Sequence, residues 1–428
     1  MRRLVRLAAV AILLGGLAVV LTAGQRGGVF RGSRDHPAIA YSSGSVHNSV
    51  SELNREIKNG TVRLEFDGPS GYLRSVLRAL DISVESQVTA FSETSFQSPL
   101  ISSTNPRAIY FNDSVAAAWV RGGDVIELAA QDRQQGTIFY VLDQTPAGVP
   151  QFRRNDGCLA CHLSWDTLAV PGLQVLSVAP LSPDPNAYAT GYVTDHRSPL
   201  VQRWGGWWVT GTVGPVAHMG NVEVTDVVDP LPPGTSPPSL ESLDEVMEVD
   251  GYLSTHSDVV ALLVLDHQAH MANLITRLGW EARRAHFRDA ADSETAGELI
   301  SEAAAELVDY ALFVDEAPLP SPVRGSSRFA EQFSDRGPHD ARGRALREFD
   351  LEERLFRYPC SYMIYTEAFD ALPDLAKDAV YQRMWEVLSG QDTSETYGRL
   401  SIDDRRVVVE ILRETKPDLP DYFQPVTR

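Results

Sequence analysis

Residues 108–142 read AIYFNDSVAAAWVRGGDVIELAAQDRQQGTIFYVL, and they decide the fold. Four short runs, 108–111, 115–120, 125–130 and 137–142, are rich in β-branched and aromatic residues. Asn112-Asp113, Arg121-Gly122-Gly123-Asp124 and Gln134-Gln135-Gly136 punctuate them, which predicts an antiparallel meander with tight turns. Upstream, short helical patterns at 53–57 and 73–80 flank a strand candidate at 62–66. Downstream, residues 174–178, 187–194, 207–212 and 222–227 continue the strand pattern until a Pro-rich stretch at 229–238 breaks it. Beyond that break, apolar residues recur at helical spacing over 257–287, 298–313, 346–356, 375–389 and 402–414.

The chain therefore reads as α+β, with a sheet-rich N-terminal part and a helical C-terminal part. The expected organisation is a leader over 1–24, a flexible Gly/Ser/Arg-rich lead over 25–50, and a sheet-rich domain over 51–228. A linker over 229–250 and a helical domain over 251–428 complete it.

Directly after the meander stands Cys158-Leu159-Ala160-Cys161-His162, a C-x-x-C-H run. Two thiols three positions apart can each form a thioether to a haem vinyl group, and the histidine that follows is placed to donate its imidazole to the iron. A zinc site needs further Cys or His at close spacing, and the third cysteine, Cys360, is about two hundred residues away. A thioredoxin-like pair opens a helix after a strand, whereas this one follows the polar stretch Arg153-Arg154-Asn155-Asp156-Gly157. Neither alternative uses the histidine. Cys360 reads as a buried small apolar side chain.

Export is a condition of covalent haem attachment, and the N-terminus meets it. Arg2, Arg3 and Arg6 precede an apolar stretch from Leu7 to Ala23, and Thr22-Ala23-Gly24 supplies small residues for cleavage. An uncleaved segment would serve as a membrane anchor, since its length reaches the lower limit of a span. No other segment reads as long and apolar enough to cross a membrane. Loss of residues 1–24 removes three arginines and no acid, moving the net charge from −19 to −22. Such acidity argues against nucleic acid and suits a basic redox partner.

An electron carrier needs a second axial ligand, commonly Met or His. His218 and Met219, in the loop 214–221, lie side by side 56 and 57 residues after His162. His256, His267 and His270 are expected on one stripe of the helix over 257–287, where the alternatives are a distal ligand, a second metal site or a polar packed face. Trp204, Trp207 and Trp208 can wall a porphyrin edge or fill a sheet core, and Arg197 or Arg203 can pair with a haem propionate.

On Cys158, Cys161 and His162 the chain resembles c-type cytochromes. The resemblance implies two attachment thiols, a proximal ligand and one covalently bound haem c. Over 203–221, 257–277 and 357–372 it is similar to a group of large exported bacterial proteins described only as cytochrome c domain-containing, which implies no substrate. The sheet expected before the motif departs from the minimal all-α cytochrome c fold. Two functions follow as expectations: extracytoplasmic electron transfer through a six-coordinate haem, or a peroxidase-like enzyme or gas sensor with an open distal site.

Overall fold

The strands of residues 107–143 make a two-faced sheet, because successive side chains of a strand point to opposite faces. In the computed structural model, which describes residues 30–92, 94–178, 191–222, 237–287 and 294–426, they are β2 (Arg107–Phe111), β3 (Val115–Trp119), β4 (Val125–Asp132) and β5 (Gly136–Asp143). With β1 (Val88–Ala90), β6 (Phe152–Arg154) and β9 (Trp207–Trp208) they form a seven-stranded sheet in the order β6-β5-β4-β3-β2-β1-β9. Every neighbouring pair is antiparallel. Strands β7 (Val175–Ser177) and β8 (Tyr192–Thr194) pair separately.

Turn chemistry sets the register. Asn112 accepts from the backbone N–H of Ser114 and Val115 at 3.1 and 2.9 Å, closing the β2–β3 turn. Asp132 accepts from those of Gln134 and Gln135 between β4 and β5. Gly136 then takes φ +85°, and a Cβ there would meet Thr276 at 2.6 Å, so only glycine suits both the turn and the close approach.

One face of the sheet, with Tyr110, Trp119, Ile126, Ile138 and Leu142, packs on α1 (Ser49–Lys58) and α2 (Leu73–Ala79). The other face presents Ile109, Ala116, Ala118, Ala129 and Phe139 to α3 (Val259–Phe287) across a gap. Helices α4 (Glu294–Ala311), α5 (Asp374–Leu388) and α6 (Ile402–Thr415) complete the helical half. The protein is thus α+β, sheet first and helices after.

Helix α3 is long and apolar enough to cross a membrane, contrary to the sequence reading, but 94% of its apolar window is buried inside the protein. It is the central helix of the core. A helix apolar all round must be covered on every side, and α3 shares one hydrophobic cluster with α4, α5 and α6 and also with Val88, Phe111, Val175 and Trp207 of the sheet half. The core therefore runs across the boundary expected at 229–250.

Other differences have local causes. Residues 62–66 form no strand, and 346–356 form no helix. There Asp350 accepts from the backbone N–H of Glu352, Glu353 and Arg354, a turn that competes with helix formation. Helix α3 begins at Val259, where Asp258 accepts from the N–H of Val260 and Ala261. His256 consequently precedes the helix and hydrogen-bonds the Glu241 carbonyl at 3.2 Å, so the expected three-histidine stripe does not form. The lead expected to be flexible is packed from residue 30 on, with Phe30, Ile39 and Tyr41 buried and the Tyr41 hydroxyl donating to the Thr137 carbonyl at 2.8 Å. The leader over 1–24, residues 25–29, 223–227 and 229–236, and residues 187–190 lie outside the described residues.

Candidate functional site

Strand β6 delivers the chain to the C-x-x-C-H run. Asn155 accepts from the N–H of Gly157 at 3.1 Å and starts a tight turn, which continues as the single helical turn Leu159–His162. Leu159 and Leu163 are buried in the core behind the sheet and anchor this turn. Cys158 is half-buried and Cys161 exposed. Burial pushes the Cys158 thiol up to about 12, the Glu127 charge adding to it, and burial also raises Cys161.

His162 is held from two directions. Its Nδ1 donates to the Gly172 carbonyl at 2.9 Å, while the Gly172 N–H donates back to the His162 carbonyl at 3.0 Å. Because a carbonyl can only accept, Nδ1 carries the proton and Nε2 keeps its lone pair. Burial pushes the imidazole down to about 4, which keeps it neutral at ordinary pH.

The Gly172 segment is itself clamped. Asn273 of α3 accepts from the Leu173 N–H at 3.2 Å and donates to the Leu173 carbonyl at 2.7 Å. A Cβ on Gly172 would lie 2.0 Å from the Asn273 side chain. Between motif and clamp, Leu168 and Ala169 both take positive φ, 59° and 61°, a strained path the packing must hold. Helix α3 thus orients the histidine through a backbone carbonyl, as second partners of metal-binding imidazoles do.

Beside the motif lies a cavity of about 380 Å³, within the range of small-molecule and cofactor sites. Cys158, Cys161 and His162 line it together. Its floor is the sheet face of Ala116, Ala118 and Ala129, where small side chains leave room for a flat group, and Trp207, Leu265 and Ala269 wall it. Of the three tryptophans, Trp207 is the one that meets the cavity, its Nε1 donating to the Leu176 carbonyl at 2.7 Å. Trp204 bonds Asp266, and Trp208 packs on Phe91.

Sequence reasoning missed two cavity residues. Arg107 and Glu127 project from β2 and β4 into the apolar lining, with Arg107 Nη1 3.9 Å from Glu127 Oε2. Arg107 Nε and Glu127 Oε2 are buried without a hydrogen-bond partner. Their strand parity was the available signal, since both share a face with Ile109 and the alanines.

The residues expected to complete a haem site lie elsewhere. Met219 Sδ accepts from the Tyr192 hydroxyl at 3.2 Å, and His218 Nδ1 from the Gly220 N–H at 3.1 Å. Their loop is tied to the Arg203 and Trp207 carbonyls. His267 Nδ1 bonds His196 Nδ1 at 2.8 Å, its Nε2 bonds Ser361 at 2.7 Å, and His270 bonds Arg197 at 3.1 Å. Leu265 and Ala269 line the cavity, which turns His267 about 160° away on the helix. Arg197 pairs with Asp195, and Arg203 with Asp266. None of these six residues lines the cavity. Cys360 is fully buried, with its thiol pushed up to about 12. No group of three or more His, Cys, Asp or Glu capable of holding a metal ion occurs among the described residues.

Comparison with family models, curated proteins and solved structures gives no match.

Proposed function

We propose that this chain is an exported c-type haem protein with one haem c, joined to Cys158 and Cys161 and ligated by His162, and that it works by redox chemistry at an iron with an open sixth position. The observation that carries the reading is the cavity lining. It brings both thiols and one neutral imidazole together and, among the described residues, contains no other histidine and no methionine, lysine or tyrosine. Raised thiols argue against a redox pair, because reactive C-x-x-C cysteines have lowered values.

When bound, the haem supplies an iron that exchanges an electron and accepts a small ligand. The chain's own part is to hold His162 in one tautomer through Gly172, to keep water from the flat faces with alanines and Trp207, and to offer Arg107 and Glu127 as the cavity's charged groups. A six-coordinate electron carrier is the second reading. It is favoured by the exposure of Cys161 and of Phe96 and Trp165 near the motif, which would leave an edge of the group at the surface for a partner. The acidic chain suits a basic one. Export follows from the leader and from the attachment chemistry, and an uncleaved leader would tether the protein to the membrane.

Haem staining after denaturing electrophoresis tests the attachment: wild type stains, and Cys158→Ser/Cys161→Ser does not. Carbon monoxide added to the reduced protein then separates the readings. Rapid binding supports the open iron, whereas a stained protein that binds none is the six-coordinate carrier.

A further inference from the structure

Arg107 stands in an environment that its neighbours do not explain. A guanidinium carries five N–H donors, yet among the described residues Arg107 makes no hydrogen bond, and its one charged neighbour, Glu127, stays 3.9 Å away. The two side chains are only 19% and 15% exposed. Buried ion pairs are tolerated when further hydrogen bonds satisfy the remaining donors, and here those bonds are missing. Among the described lining residues Arg107 is the sole arginine or lysine. Nε is enclosed, so the open edge of the fork is Nη1 and Nη2, which can meet two oxygens of one planar group.

We propose that Arg107 is a carboxylate receptor inside the cavity, taking a planar oxyanion edge-on, with Glu127 as the flanking charge that orients the guanidinium. The inference rests on the haem reading. The carboxylate has two sources of the same chemistry, a propionate of the haem or a free small carboxylate entering beside it. Glu127 and Cys158 line the same cavity.

Sodium formate titrated into the oxidised holoprotein, followed by absorption and by the reduction potential, tests the assignment in wild type, Arg107→Gln and Arg107→Lys. A saturable spectral change in wild type that weakens at least tenfold in Arg107→Gln identifies a free carboxylate. Indifference to formate, with a potential that falls in Arg107→Gln and falls by a smaller amount in the charge-preserving Arg107→Lys, identifies the propionate. Arg107→Gln matching wild type in both readouts overturns the proposal. If Arg107→Gln does not accumulate, Arg107→Lys decides, because it loses the two-pronged donor. One of the two readouts must then shift in the same sense by a smaller amount, and an unchanged protein overturns the assignment. A wild-type chain without haem stain refutes the haem reading instead, and is recognised before any titration.

Discussion

Two buried arginine–carboxylate pairs, one in the core and one in the cavity, have opposite surroundings. Arg203 and Asp266 lie 3.3 Å apart with 3% and 0% of their side chains exposed. Asp266 also accepts from Thr194 and the Trp204 indole, both at 3.1 Å, and Arg203 donates to the carbonyls of Ser198 and His196. Arg107 and Glu127 have none of this support. A satisfied pair specifies packing, because all its partners belong to the fold. An unsatisfied pair lining a cavity waits for a partner that the fold does not supply.

The sharpest way to break this contrast is to remove one charge from the satisfied pair. Asp266→Ala leaves Arg203 uncompensated in the core and is expected to lose about 3–5 kcal/mol in urea unfolding. A loss below about 1 kcal/mol would mean that the network is not structural.

Acidification is next in size. Burial drives the imidazoles of His218 and His270 down to about 4 and of His267 to about 3, and pushes His196 well below its ordinary value. In the proposed holoprotein, where the iron would take His162 out of the titration, the unfolded chain binds these four protons between about pH 4.5 and 6 and the folded chain does not, so stability falls as pH falls. Asp266, raised by burial to about 6, and Glu316, raised to about 7, act the other way, because the folded chain holds their protons and the unfolded chain does not. A net of two protons remains, each worth about 1.4 kcal/mol per pH unit. The unfolding free energy should therefore fall by about 2–3 kcal/mol between pH 6 and 5, and His218→Phe should flatten the slope by one proton.

The cavity pair predicts a different sign. In chain produced without haem, Arg107→Met/Glu127→Leu should be neutral or more stable by about 1 kcal/mol, since apolar groups replace an unsatisfied ion pair. A clear loss would show that the pair is part of the packing, like its counterpart in the core. The smallest effect is expected at Met219→Leu, which exchanges shapes of similar volume outside the cavity, at under about 1 kcal/mol. The oxidised spectrum should not change. A changed spectrum would mean that the loop 214–221 reaches the iron when haem is present.

Much of the fold was legible because its signals are local. The meander was visible in period-2 runs separated by Asn112, Gly122 and Gly136, and α3, α5 and α6 in their helical spacing. The misreadings at 62–66 and 346–356 are places where one element's pattern lacked a partner or a competing turn intervened. Among the candidate site residues, the contiguous Cys158, Cys161 and His162 were read directly. The distal candidates failed to gather because sequence spacing says nothing about which helix face meets a sheet.

By itself the sequence determined the covalent chemistry on offer, two thiols and an imidazole at fixed spacing, together with the alternation that makes a two-faced sheet. Only the tertiary structure decided what surrounds that chemistry. It turned His267 and His270 away, tied Met219 to Tyr192, clamped His162 through Asn273 and Gly172, and left Arg107 and Glu127 facing the cavity without hydrogen bonds. The physical reason is range. Strand and helix periods are written in neighbouring residues, whereas the satisfaction of a buried charge depends on groups that only folding brings together.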